Sequence, residues 1–296
     1  MTRTFTTTDS GQGVLRMDRR LRHPVDKVWR AITEPSELGH WFPSKVDVDL
    51  VVGGKVRFIE LSPEHPDLDG VVTDLDPPHL FAYTWDTDHL RWELRPDGDG
   101  TLLTLTHTFA DTYGAPSFAS GWTGCVDLLE RLLDGSLAGA SSGDGVAPED
   151  LPDGLAGWAE LHEQLIEEFG LDQGTAERAG GGWVVRFERQ MTRDEETVWN
   201  VLGGAEAAVG SPVPAGFTAE GLPSGPVTSV DPAGHLAYES PAGTVRFELK
   251  PGAGGARLIV THTTPTDDES RRDRSLAAWH GHLTALAARL RELPVT

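Results

Sequence analysis

The sequence predicts an α+β protein built from two tandem copies of one unit, each a curved antiparallel sheet wrapped around a long C-terminal helix. Three observations predict it. First, a long pattern occurs twice at a constant offset of 155 residues: V-T-D-L-D-P-P-H-L-F-A-Y-T-W from Val72 matches V-T-S-V-D-P-A-G-H-L-A-Y-E-S from Val227. In the same register Arg91-Trp92-Glu93-Leu94 falls on Arg246-Phe247-Glu248-Leu249, and Thr106-His107-Thr108 on Thr261-His262-Thr263. A period this long marks duplicated domains, since solenoid repeats are ~20–50 residues. Second, both matched stretches are runs of short alternating segments broken by Gly, Pro and Asp, as in antiparallel strands and their turns. Third, each copy closes on one apolar helical stripe: Trp122, Val126, Leu129 and Leu133 in the first, Trp279, Leu283, Leu286 and Leu290 in the second.

Along the first copy, Val14 to Leu21 alternates as a half-buried strand does. His23-Pro24 breaks it, and Val25, Val28, Trp29 and Ile32 follow at helical spacing. Pro35 opens a second short helix with Leu38, Trp41 and Phe42 on its apolar side, because proline's missing N–H costs nothing in a first turn. Strands are expected from Val46, Lys55, Val71, Phe81, Leu90 and Leu102, the first of them running to Val52. Gly124 and Gly281 each lie two residues after the helix tryptophan, where glycine costs about 1 kcal/mol against alanine. Their recurrence predicts a close approach there to the sheet or to a ligand. Ser136 to Gly154 reads as a flexible link, followed by a helix with Leu155, Trp158, Leu161, Leu165 and Phe169 on one face. The domain boundary is expected near 175, giving domains 1–175 and 176–296.

Composition narrows function. Lys plus Arg total 25 against 46 Asp plus Glu, a net charge of -21. Such a surface repels nucleic-acid backbones and anionic lipid, so neither is an expected partner. A single cysteine, Cys125, forms no internal disulfide. With no apolar signal segment at the N-terminus and no run near ~18 apolar residues, a cytoplasmic location is expected.

The candidate site follows from strand periodicity. Leu103, Leu105 and His107 share a face, as do Leu258, Val260 and His262, so both imidazoles are expected to point inward. An inward histidine can bond a ligand or move a proton, or it can be a structural group satisfied by the fold. Phe81, Tyr83 and Trp85 form another face; with Phe58, Trp92 and Trp122 they are candidates to line an aromatic pocket, with core packing as the alternative. Tyr238, Phe247, His262 and Trp279 are their second-copy counterparts. No metal site or cofactor is expected: His280 and His282 are two apart on a helix and face apart.

Several segments resemble a known family. Ile32-Thr33-Glu34-Pro35 through Leu38 to Trp41-Phe42 resembles its I-T-x-P-x-x-L-x-x-W-F helix segment, and Gly53-Gly54 to Phe58 its G-G-x-x-x-F turn and strand. With L-x-x-T-H-T and Gly121-Trp122, these are similar to the heat-shock-protein-90 ATPase activator-homologue family of the START-like, polyketide-cyclase superfamily, whose fold is the helix grip. The second copy departs after Val198-Trp199, where 15 residues covering the second helix and the early strands are missing. It is expected to be a degenerate helix-grip domain, with the larger enclosed cavity in the first. The resemblance implies relatives that include chaperone cofactors, small-molecule binders and cyclases. The expected function is non-catalytic binding of an apolar or aromatic small molecule in the first-domain cavity, the second domain serving as lid, dimerisation surface or partner platform. A cyclase- or hydrolase-type enzyme using His107 is one alternative, and a chaperone-cofactor-like interaction protein is another.

Overall fold

The computed structural model describes residues 1–59, 67–136 and 154–294. The chain packs as two compact units, Met1–Leu161 and His162–Thr296. Most of the expected link from Ser136 to Gly154 lies outside the described residues.

The first unit runs β1 (Thr2–Thr7), β2 (Gly13–Leu21), α1 (Val25–Thr33), α2 (Pro35–Leu38), β3 (Lys45–Val48), β4 (Lys55–Ile59), β5 (Leu68–Asp76), β6 (Leu80–Trp85), β7 (Asp88–Asp97), β8 (Gly100–Phe109) and α3 (Ala115–Leu133). Its eight strands form one antiparallel sheet in the order β1-β2-β8-β7-β6-β5-β4-β3. Helix α3 buries the predicted stripe Trp122, Val126, Leu129 and Leu133. Burial of such side chains stabilises each by about 1.5–3 kcal/mol, which is what clamps the helix into the curve of the sheet. Pro35 stands at the start of α2, and Trp41 beyond it donates from Nε1 to the Ala31 carbonyl at 2.9 Å. That bond satisfies a fully buried indole and ties the two short helices together.

After the helix α4 (Gly154–Glu168), the second unit runs β9 (Thr175–Ala179), β10 (Gly182–Gln190), α5 (Glu195–Val201), β11 (Val227–Asp231), β12 (His235–Ser240), β13 (Gly243–Gly252), β14 (Gly255–Thr263) and α6 (Glu269–Glu292). Its sheet order is β11-β12-β13-β14-β10-β9. Read outward from the strand before the first helix, the two sheets have the same topology, and the counterparts of β3 and β4 are missing from the second. The registers repeat too. Val72 pairs Tyr83 as Val227 pairs Tyr238, Leu90 pairs His107 as Val245 pairs His262, and both copies carry a bulge two residues after the first valine. The duplication is thus present in the hydrogen-bond ladders as well as in the sequence.

Four features differ from the sequence reading. The strand expected from Val46 to Val52 stops at Val48, and Val51 and Val52 sit exposed in the turn that ends at Gly53, whose φ of 81° only glycine adopts freely. Strand β1 was not anticipated, because T-R-T-F-T-T holds one large apolar residue; that residue, Phe5, stacks on Phe109 with centroids 6.3 Å apart. Strand β9, T-A-E-R-A, was hidden because it holds no large apolar residue, and Gly180 and Gly181, both with positive φ, form the two-residue turn into β10. The close approach to the sheet expected at Gly281 is absent, since a Cβ there would meet no protein atom within 4 Å.

The units divide at Leu161/His162 rather than near 175. The physical reason is a buried ionic cluster. Glu163 on α4 pairs with Arg189 of β10, and Glu188 bonds Arg257 of β14 at 3.1 Å, with Gln190 accepting from Arg257 at 2.9 Å. This draws the C-terminal half of α4 onto the second sheet.

Candidate functional site

Strand β8 places Leu103, Leu105 and His107 on its inward face, and His107 is 3% exposed. Strand β7 is antiparallel beside it, with Leu90 opposite His107. By the two-residue period, Asp88 lies on the same face as Leu90, Trp92 and Leu94. The β6–β7 loop is Asp86-Thr87, flanked by the pair Trp85 and Asp88. Asp86 takes a φ of 51°, a left-handed conformation that Asp and Asn tolerate better than most residues. The tight loop sets Trp85 and Asp88 side by side at the open end of the sheet.

His107 Nε2 lies 2.9 Å from Asp88 Oδ2, and Trp122 Nε1 lies 3.2 Å from His107 Nδ1. An indole N–H can only donate, so Nδ1 accepts and the ring proton sits on Nε2, from which it is donated to Asp88. Both ring nitrogens are therefore engaged, and the imidazole acts as a strut between the α3 tryptophan and the hairpin carboxylate. H107Q is expected to cost the first unit about 1–3 kcal/mol, because it leaves Trp122 Nε1 or Asp88 without its partner. Urea denaturation monitored by hydrogen exchange of β8 checks this, and an unchanged midpoint for the first unit would show that the strut contributes no stability.

Around this strut is a recess of about 330 Å³ lined by Pro43, Leu68, Trp85, Asp86, Thr87, Asp88, His107, Ser117, Phe118, Gly121, Trp122 and Cys125. Of the residues singled out from sequence, Trp85, His107 and Trp122 meet here. Phe58 stacks on Trp85 at 4.7 Å from behind, while Phe81, Tyr83 and Trp92 are buried in the core beyond it. Tyr83 accepts from Trp92 Nε1 at 3.2 Å, and burial pushes its phenol well above the usual range. These four hold the walls in place without forming them. Cys125 lies at the base of the recess, where burial pushes the thiol up to about 12 and so keeps it un-ionised.

Sequence reasoning missed Asp88 and Phe118. The signals were present: Asp88 continues the inward alternation of β7, and Phe118 precedes Trp122 by four residues on the α3 stripe. Asp88 reads locally as a turn residue, and its partner is 19 positions away.

The second unit offers an internal comparison. His262 Nδ1 accepts from Trp279 Nε1 at 3.3 Å, as in the first unit, but Nε2 donates to the Ala242 carbonyl at 3.2 Å. At the 155-residue offset Gly243 replaces Asp88 and Ser240 replaces Trp85; on the closing helix, at an offset of 157, Ser275 replaces Phe118 and His282 replaces Cys125. Burial lowers the basicity of His262 more than its bond to Ala242 raises it, so it stays neutral. The candidates Tyr238, Phe247, His262 and Trp279 are all buried. Phe217, from the segment that replaces the missing strands, packs 5.0 Å from Phe247, as Trp41 packs 5.6 Å from Trp92 in the first unit. His282 bonds the backbone of Gly216 in that segment. The second unit does have an open surface depression of about 420 Å³, the same volume as one beside Asp47 and Arg57 in the first unit. It is lined by Gln173, Gly174, Phe187, Asp273, Leu276, Ala277 and His280, and by none of the counterpart residues.

Among the described residues no group of three or more His, Cys, Asp and Glu side chains is arranged to hold a metal ion, and no helix is long and apolar enough to cross a membrane. His280 points to Asp172 at 2.8 Å, away from His282.

No curated protein matches the chain. Among solved structures it is similar to CalU16 from Micromonospora echinospora (24% identity, TM-score 0.46, covering 57% of this chain and 96% of that one). It is also similar to the conserved protein of unknown function EF2215 from Enterococcus faecalis (19%, 0.44, 57% and 90%) and to MLL2253 from Mesorhizobium loti (25%, 0.38, 42% and 98%). A family model, the Activator of Hsp90 ATPase homolog 1-like protein, matches residues 22–134, from just before α1 to just after α3. That stretch, which holds α1 to α3, strands β3 to β8 and the recess, is what the chain shares with the Activator of Hsp90 ATPase homolog 1-like family model.

Proposed function

We propose that the first unit binds an apolar or aromatic small molecule in the recess beneath the β6–β7 hairpin. The observation that carries this reading is the lining itself. Trp85, Phe118, Trp122, Leu68 and Pro43 form the walls, and Asp88 and Ser117 are polar groups among them. Ligand sites have this make-up, a mostly apolar cleft of about 300–1,000 Å³ with a few placed polar groups. Two things favour binding over catalysis by His107: both its nitrogens are already engaged, and the same Trp–His bond persists in the second unit without the carboxylate. The second unit, where Phe217 is part of the buried core, is then a structural companion to the binding unit. A cytoplasmic setting belongs to the same reading, since a single buried thiol demands no oxidising compartment.

Gly121 gives the test. It lines the recess, and a Cβ built on it meets nothing within 4 Å. Gly121→Phe should therefore fold, gain helix propensity and fill the recess. N-phenyl-1-naphthylamine, a neutral aromatic probe, is expected to bind the wild-type chain saturably with a gain in fluorescence, and at least tenfold more weakly in the variant. Equal binding in a folded variant would locate the site elsewhere, and no saturable binding by the wild type would remove the proposal.

A further inference from the structure

We infer that the recess selects an organic cation, an amine carried on an aromatic or apolar body. The inference rests on the binding reading above and adds the chemistry of the ligand's polar end. Two independent observations carry it. One is the arrangement of carboxylates and rings. Asp86 and Asp88 both line the recess, beside the rings of Trp85, Phe118 and Trp122. Trp85 and Trp122 are 6.3 Å apart at an interplanar angle of 70°, two walls of a cage. Aromatic faces attract cations through the ring quadrupole, most strongly for tryptophan, and quaternary and protonated amines are held by such cages. Asp88 is kept in position through one oxygen: Oδ2 accepts the hydrogen bond from His107 Nε2–H, while the side chain stays 25% exposed.

The other observation is a hydrogen-bonding group with no partner. Ser117, in the first turn of α3, lines the recess at 6% exposure, and its Oγ makes no hydrogen bond within the protein. A buried hydroxyl left unpaired is costly, so such groups are nearly always satisfied in the working state. An ammonium with two or three N–H donors can pair with Asp88 and donate to the Ser117 hydroxyl, whereas an anion gains only the hydroxyl and is repelled by Asp86 and Asp88. The second unit supports the assignment by contrast, since the same positions there hold Gly243 for Asp88, Ser240 for Trp85 and Ser275 for Phe118. Carboxylate and two of the rings were lost together, as expected if they served one ligand. The net charge of -21 adds a field that draws cations toward the surface.

The test compares three probes of one shape: 1-naphthylmethylamine as the cation, 1-naphthalenemethanol as its neutral counterpart and 1-naphthoate as the anion. Each is titrated into the full chain at pH 7, competing with N-phenyl-1-naphthylamine. The amine is expected to bind at least tenfold more tightly than the alcohol, and the naphthoate more weakly than both. Asp88→Asn keeps an oxygen for the His107 N–H and should reduce the amine's advantage to less than threefold. Asp86→Asn, which preserves the left-handed turn, should reduce it partially. If the alcohol binds as well as the amine, the cation assignment falls and the aromatic-binding reading stands. If the neutral fluorescent probe itself fails to bind, both fall. An amine preference that survives in folded Asp88→Asn would remove Asp88 from the site and overturn the assignment. If Asp88→Asn does not fold, the amine-to-alcohol ratio in the wild type still decides.

Discussion

Trp122→Ala is expected to destabilise the first unit by about 3–5 kcal/mol, the range for removing a large aromatic side chain from a core. The ring is 5% exposed and touches Phe42 and Trp92 at 5.6 Å each, so its loss leaves a cavity those aromatics cannot close without moving. It also removes the donor to His107 Nδ1, leaving a buried acceptor unpaired. Trp122→Phe separates the two contributions, since it keeps most of the packing and deletes only the N–H; it should cost about 1–3 kcal/mol. Unfolding must be followed unit by unit, for example by hydrogen exchange of β8 against β14, because a two-unit chain has no single unfolding free energy. A loss below about 1 kcal/mol for Trp122→Ala would mean that α3 is not clamped through this ring, contrary to the packing described above.

Glu163→Ala is expected to destabilise the second unit by about 3–5 kcal/mol, because it leaves the buried Arg189 guanidinium without its counter-charge. Burial alone would raise the Glu163 carboxyl, but the hydrogen bond from His162 and the charge of Arg189 outweigh it and hold the group below its ordinary value of 4.5. The sign of the pH effect follows. A carboxyl depressed in the folded state contributes stability that is complete above its unfolded value, and loses it as pH falls from about 4.5 through the lower folded value. Acid titration of the wild type should therefore loosen the second unit below pH 4.5, and Glu163→Ala should flatten that part of the curve. A mutant that retains the full acid slope would assign it to other carboxylates. Replacing the pair with apolar residues is a different experiment, because well-packed apolar substitutes often cost nothing.

Sequence alone determined the tandem organisation, the strand and helix order of the repeated core, and the inward placement of His107 and His262. It could do so because these depend on local period: two residues along a strand, about 3.6 along a helix. The paired stripes at Trp122 and Trp279 and the shared T-H-T segments needed no tertiary information. Edge strands β1 and β9 escaped because a sheet edge buries little and so needs little apolar periodicity. Only the tertiary structure decided which aromatics form a wall and which form the core. Phe81, Tyr83 and Trp92 alternate just as Trp85 does, and their depth along the sheet is set by the curvature and by α2, not by period. The linking of Asp88 and Trp122 through His107 was likewise a tertiary result, because it joins a hairpin tip, the end of a strand's alternation and a helix. The filling of the second unit by Phe217 was of the same kind. That phenylalanine sits in a run of Gly, Ala and Pro with no period, and its burial follows from the space left when two strands and a helix are absent. Local pattern tells a side chain which way to face; the assembled fold determines what it meets there.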